Sequence, residues 1–125
     1  MTLGTRKTLI WVTVLLLALP MGLAGSAKLM GNPELHASFA AMNLPNWFGY
    51  VIGAAEVAGS IGLLFPPLAV LAATYLLPIM VGATYYHVAV DSSSPLFALL
   101  LLALCIAVIF LRRGQSIWFP FGGKN

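Results

Sequence analysis

Charge is what this sequence has least of. Asp, Glu, Lys and Arg make up 7% of its 125 residues, whereas soluble domains carry about 25%. Hydrophobic residues make up 61% of the chain, and its mean hydropathy is +0.99. A soluble domain of this length could not bury so much apolar surface. The composition therefore predicts a single domain, residues 1–125, that lies in a lipid bilayer.

Other absences exclude several classes of function. Cys105 is the only cysteine, so the chain alone can form no internal disulfide and no dithiol pair. No basic stripe with interleaved aromatics is present, which argues against nucleic-acid binding. The sequence also has no glycine-rich phosphate loop, no flavin or nicotinamide fingerprint, and no recognisable metal-binding motif. We therefore expect no metal site and no cofactor held by a recognisable motif, and whether the protein is an enzyme stays open.

Four apolar runs predict membrane-spanning helices at residues 8–30, 47–65, 68–87 and 95–111. Each is near the length of about 20 residues that crosses a hydrocarbon core of about 30 Å, and so few spans can only be helical in lipid. The predicted fold class is thus all-α, an integral membrane four-helix bundle. Basic pairs at Arg6-Lys7 and Arg112-Arg113 predict that both termini are cytoplasmic. We expect the bacterial cytoplasmic, or inner, membrane.

The first apolar run has a second interpretation. Arg6, Lys7, the run to Leu19 and the small residues 24–26 also form the pattern of a cleavable signal peptide. Apolar residues continue to Met30, however, so the run is long enough to span the membrane. A retained helix is the interpretation that we favour.

A short helix is predicted between the first two spans. Asn32 can cap a helix with Pro33 at its first position. Leu35, Phe39 and Met42 then recur at helical spacing and give one apolar stripe. This stripe predicts either an interfacial helix on the outer surface or a lid over an opening between the spans.

Three ionisable residues lie within or at the ends of the predicted spans: Lys28, Glu56 and His87. A charge at membrane depth costs from about 2.5 to more than 10 kcal/mol unless it pairs, reaches water or faces a cavity. All three are expected in the outer half of the membrane, so we predict that they form a polar pocket there. Each also has a simpler interpretation: Lys28 extends to water, His87 lies at the interface, and Glu56 belongs to a buried ion pair that fixes helix register.

Small and hydroxyl-bearing residues surround these three. Gly49 and Gly53 share a helix face with Glu56, which favours close contact with a neighbouring helix. The residues predicted to pack helices together are Gly25, Gly49, Gly53 and Gly59. Further candidates for the pocket lining are Tyr85, Tyr86 and Ser60.

Short motifs in a fixed order make the chain resemble a known family. They are the segment AGSAKL at residues 24–29, the pair Leu44-Pro45, the segment GAAEVAG at residues 53–59 with GLL at 62–64, and Gly82-Ala83 followed by His87. In this order and spacing they resemble the DoxX-like family of small four-helix membrane proteins. The resemblance implies that the first helix is retained in the mature protein.

The resemblance implies two classes of function. Some relatives are subunits linked to quinone-dependent sulfur oxidation or to membrane redox-stress complexes, and eukaryotic relatives act as assembly chaperones for membrane receptors. The first hypothesis is therefore an accessory or quinone-associated subunit of a membrane redox system, in which Glu56 and His87 relay a proton and Lys28 orients the carboxylate. The second is a non-enzymatic scaffold or assembly chaperone that binds a membrane protein client. A transporter of a small solute or lipophile is a third hypothesis, drawn from the residues and not from the resemblance. The glycine faces also make a homo-oligomer possible.

Overall fold

Five α-helices make up the fold over residues 2–115, the part of the chain that this computed structural model describes. No strand occurs among these residues, so the predicted all-α class is confirmed. The helices are α1 (Leu3–Leu29), α2 (Pro33–Ala41), α3 (Phe48–Leu63), α4 (Pro66–Tyr85) and α5 (Leu96–Arg112). A π-helical turn at Tyr86–Val90 extends α4, and a 3-10 turn at Arg113–Gln115 extends α5.

Three of these segments are long and apolar enough to cross a membrane. They are α1 with 27 residues, α4 with its π-helical extension at 25 residues, and α5 with its 3-10 extension at 20 residues. The run predicted at 47–65 forms only the 16 residues of α3. It ends early because Phe65, which precedes a proline, adopts an extended conformation. Length and composition thus identify three candidate membrane spans, and α3 is a shorter apolar helix.

The ends of α1 and α4 also differ from the prediction. The Thr2 side chain accepts a hydrogen bond from the backbone N–H of Thr5 at 3.0 Å and caps α1 there. Arg6 and Lys7 therefore lie within the helix instead of preceding it. At the other end of the fold, the π-helical turn carries α4 past His87 to Val90.

The short helix α2 forms where the Asn32-Pro33 signal predicts it. The Asn32 side-chain oxygen accepts hydrogen bonds from the backbone N–H groups of Glu34 and Leu35 at 3.0 and 3.3 Å. Asn43 then adopts a positive φ of 63°, which turns the chain towards α3. None of the α2 residues is buried. The helix lies along the end of the fold instead of passing through it.

The four longer helices each pack against two others. Helix α1 contacts α3, α3 contacts α4, α4 contacts α5, and α5 returns to α1. Val14, Leu17, Met21, Leu76 and Val108 are among the buried side chains of the shared core. Because successive long helices are antiparallel, two ends can be defined. The α2 end holds Leu29, Phe48 and Tyr85, and the Arg112 end holds Leu3, Leu63 and Arg112.

Candidate functional site

Lys28 and Glu56 form an ion pair between α1 and α3 near the α2 end. Lys28 Nζ donates a hydrogen bond to Glu56 Oε1 at 2.9 Å. The Lys28 side chain is 12% exposed and the Glu56 side chain 3%. A carboxylate this deeply buried needs such a partner, since an unpaired charge would be strongly destabilising.

Two glycines allow the close approach that forms this pair. A Cβ atom on Gly25 would lie 2.7 Å from the carbonyl oxygen of Gly53. A Cβ atom on Gly53 would lie 2.8 Å from the Cβ of Lys28 and 2.9 Å from the carbonyl oxygen of Gly25. These distances leave no room for a side chain at either position. The two backbones are therefore in direct contact one turn from Lys28 and Glu56.

A cavity of about 530 Å³ opens beside the ion pair. Lys28 and Glu56 contribute to its wall from α1 and α3, and Pro78 and Ile79 contribute from α4. The apolar stripe of α2 covers another side, and its residues in the lining are Leu35, Phe39 and Met42. The wall is thus mostly apolar, with a buried charge pair at one place. This volume lies within the range of about 300–1,000 Å³ typical of small-molecule sites.

His87 lines the same cavity but is not bonded to the ion pair. Its Nδ1 atom and Ser93 Oγ are hydrogen-bonded at 2.8 Å. Its ring packs edge-on against Tyr86, with 5.5 Å between the ring centroids. Tyr85 and Tyr86 also line the cavity. The structure therefore brings Lys28, Glu56 and His87 to one cavity, and only the first two are in direct contact.

Ser60 does not lie on the cavity wall. Its Oγ donates a hydrogen bond to the carbonyl oxygen of Ala18 at 2.7 Å, within the contact between α3 and α1. Ser60 shares the helix face of Glu56, but it lies one turn further from the α2 end. There α1 covers that face, so the hydroxyl has a backbone partner and no access to the cavity.

The two other predicted packing glycines also lie against neighbouring groups. A Cβ on Gly59 would lie 2.9 Å from the Tyr75 hydroxyl, which donates a hydrogen bond to the carbonyl oxygen of Ala55 at 2.8 Å. A Cβ on Gly49 would collide with the imidazole of His36. Gly49 thus makes room for α2, and Gly59 for α4.

Sequence reasoning missed the polar contribution of α2. Glu34 and Ser38 line the cavity, and they lie four residues apart, next to the apolar stripe. His36 Nε2 donates a hydrogen bond to the carbonyl oxygen of Lys28 at 2.8 Å, and the centroids of the His36 and Tyr50 rings are 4.3 Å apart. These contacts hold α2 to the end of α1. The i, i+4 spacing of Glu34 and Ser38 is the signal that could have indicated them.

No group of three or more His, Cys, Asp or Glu residues that could hold a metal ion occurs within residues 2–115. The cavity offers instead an apolar wall, a lysine ammonium group and a carboxylate. This donor set suits a lipophilic molecule that carries a polar head.

The three long apolar helices of the described residues 2–115 indicate a membrane protein. The sequence profile of the DoxX-like family matches residues 12–110, which is most of the chain. The chain belongs to the DoxX-like family. Comparison with curated proteins and with solved structures found no match.

Proposed function

We propose that this protein is an accessory subunit of a membrane redox system that holds a quinone-type molecule in the cavity at the α2 end. The observation that carries the proposal is the buried Lys28–Glu56 pair in the wall of an otherwise apolar cavity. Apolar surface suits a ring and its hydrocarbon tail, and an ammonium group suits a carbonyl oxygen. In this arrangement α1, α3, α4 and α5 all cross the bilayer, and both termini are cytoplasmic.

The cavity residues fit such a ligand in a defined way. Phe39 of α2 and Phe48 of α3, whose ring centroids are 5.6 Å apart, would supply an apolar surface for the quinone ring. Lys28, which is ion-paired with Glu56, would donate a hydrogen bond to a carbonyl oxygen of such a ligand. A bound quinone supplies two-electron chemistry coupled to two protons.

The ionisable residues of the cavity wall would exchange protons with the bound ligand. Glu56 holds or releases a proton beside Lys28, and His87 does the same at the α4 side of the cavity. The hydrogen bond between Nδ1 of His87 and Ser93 fixes the orientation of the imidazole ring. The electrons come from a membrane partner that carries its own redox cofactor, because no flavin or nicotinamide motif occurs in this sequence.

Titration with a short-chain benzoquinone tests this function. Binding is followed in detergent by quenching of intrinsic fluorescence, in the wild-type protein and in the variants Glu56→Gln and Lys28→Met. We expect both variants to weaken binding by about tenfold or more, since each removes a charged hydrogen-bonding group from the wall. Asp91→Asn is the matched control, because Asp91 is exposed and does not line the cavity.

Two results would exclude the quinone site. One is a wild-type protein that does not bind the probe, and the other is equal weakening in Glu56→Gln and Asp91→Asn. Thermal unfolding of each variant is measured in parallel, so that a loss of folded protein is not mistaken for a loss of affinity.

A scaffold or assembly chaperone is the second candidate, and the glycine contact favours it. The Lys28–Glu56 pair lies where α1 and α3 touch through Gly25 and Gly53, so it is also placed to fix how these helices pack. On this hypothesis Glu56→Gln lowers abundance and thermal stability without any quinone dependence. A specific membrane protein is then recovered with the wild-type chain and lost with the variant.

A further inference from the structure

A second cavity lies at the Arg112 end, on the opposite side of the fold from the Lys28–Glu56 pair. Its volume is about 570 Å³, and its wall includes Arg6 and Lys7 from α1 and Arg112 from α5. Lys7 and Lys28 are 21 positions apart on α1, which is about 32 Å at 1.5 Å per residue. That separation is close to the thickness of a hydrocarbon core, so in a membrane-spanning α1 this cavity would lie at the headgroup level of the other leaflet.

The charge at this cavity is of one sign. The chain contains three acidic residues, Glu34, Glu56 and Asp91, and all three lie towards the α2 end. No carboxylate side chain lines the second cavity within the described residues 2–115. Three cationic side chains therefore share one concave surface without a counter-charge from the side chains around it.

Arg112 is the member of this set that most needs a partner. It is 4% exposed, and its Nη1 donates a hydrogen bond to Gln115 Oε1 at 2.7 Å. Its Nε and Nη2 atoms are buried and have no hydrogen-bond partner in the part of the chain that the structure describes. The guanidinium lies over the Trp11 ring, 4.8 Å from its centroid.

The two unpartnered atoms form one edge of the guanidinium group. Nε–H and Nη2–H point in parallel, which is the geometry that engages two oxygens of a phosphate or carboxylate. Arg6 also lines the cavity, and its Nη2 donates to the carbonyl oxygen of Leu111 at 3.2 Å. A buried cation with two unused donors is a costly arrangement that an oxyanion would relieve.

From these observations we propose that the second cavity binds a phosphate group, with Arg112 as the bidentate ligand and Arg6 and Lys7 as the cationic rim. Binding turns the Nε–Nη2 edge towards the cavity that Arg112 already lines. The phosphate comes either from an anionic phospholipid headgroup or from free phosphate. The depth of the cavity places it where headgroups of the cytoplasmic leaflet lie, if both termini are cytoplasmic.

Lipid titration of the full chain in mild detergent tests the site. Native mass spectrometry compares phosphatidylglycerol with diacylglycerol of the same acyl chains, and phosphorus NMR follows inorganic phosphate added alone. We expect phosphatidylglycerol to bind and diacylglycerol not to bind. Arg112→Gln should weaken binding about tenfold, the effect of losing one charged hydrogen-bonding group.

Arg113→Gln is the matched control. It removes the same charge from the next residue, which is exposed, donates to the carbonyl oxygen of Phe110 and does not line the cavity. If Arg112→Gln does not fold, Lys7→Gln takes its place, because Lys7 is exposed and lies on the rim.

Each outcome decides the proposal. Phosphatidylglycerol binding without binding of inorganic phosphate identifies a lipid headgroup as the source. Binding of inorganic phosphate alone, lost in the same variants, identifies free phosphate. Equal binding of phosphatidylglycerol and diacylglycerol overturns the site, and so does equal weakening by Arg112→Gln and Arg113→Gln.

Discussion

The two ends of this molecule treat buried charge in opposite ways. At the α2 end, Lys28 meets Glu56 at 2.9 Å, so the charge is neutralised within the protein. At the Arg112 end, a guanidinium that is equally well buried has two donors without a partner in the described chain. The comparison teaches that burial alone does not reveal what a charge does. The two buried charges differ in whether a side chain of the described residues neutralises them.

The largest effect is expected from breaking the pair at the α2 end. Glu56→Ala leaves Lys28 without its partner and should lower the free energy of unfolding by about 3 kcal/mol. Thermal or denaturant unfolding in detergent measures the change. Replacing both residues, Lys28→Met with Glu56→Leu, should recover most of this loss, since the unpaired charge is then gone. If the double variant is as unstable as Glu56→Ala, the pair does not act as a unit.

A smaller effect is expected from separating the helices that carry the pair. Gly53→Ala places a methyl group against the backbone of Gly25 and should cost about 2 kcal/mol of unfolding free energy, as overpacked sites do. Gly82→Ala is the control, since nothing lies within 4 Å of the position its Cβ would take. The control should be neutral or stabilising by up to about 1 kcal/mol, because alanine favours helix. Equal destabilisation by both changes would contradict the contact between α1 and α3.

A still smaller effect is expected from removing the N-cap of α2. This helix lies at only one end of the fold, so the change should be confined to that end. Asn32→Ala removes the oxygen that accepts from Glu34 and Leu35, and it should cost about 1 kcal/mol. Hydrogen exchange should accelerate at residues 33–41 and stay unchanged at Arg112 and its neighbours. Faster exchange at both ends would show that the two cavities are coupled through the helices.

The smallest effect is expected at the Arg112 end. Arg112→Met removes a charge that has two unused donors, and it also removes the contact with Trp11 and the hydrogen bond to Gln115. These contributions oppose one another, so the free energy of unfolding without added lipid or phosphate should change by less than about 1 kcal/mol. A loss comparable to that of Glu56→Ala would mean that Arg112 has a structural partner after all.

Much of the fold could be predicted because hydropathy and capping are local signals. The apolar runs locate the helices, and Asn32-Pro33 locates the start of α2. The length of α3 was overestimated because the apolar run continues through Leu64 and Phe65, although the following prolines already begin α4. Hydropathy counts apolar residues, and it does not distinguish the end of one helix from the turn after it.

The candidate site was only partly accessible to the same reasoning. Helical spacing puts Gly53, Glu56 and Ser60 on one face, but it does not say how far along that face the cavity extends. That limit depends on α1, which covers Ser60 and leaves Glu56 at the edge of the cavity. The bond of His87 to Ser93 depends on the loop after α4, which no periodic pattern describes. From the sequence, Arg112 is interpreted only as a topology signal. Its burial depends on packing against Trp11, about 100 positions earlier in the chain, and no local pattern predicts that contact.

The brevity of α3 has a consequence for the surrounding lipid. Sixteen residues rise about 24 Å, less than the hydrocarbon thickness of about 30 Å. Val51 and Ile61 on this helix are more than half exposed, so part of its surface faces outward. If α3 crosses the bilayer as proposed, hydrophobic mismatch there should thin the bilayer locally and favour short acyl chains beside α3. The protein should therefore be more stable in thin bilayers than in thick ones, and α3 should be the helix that senses the difference.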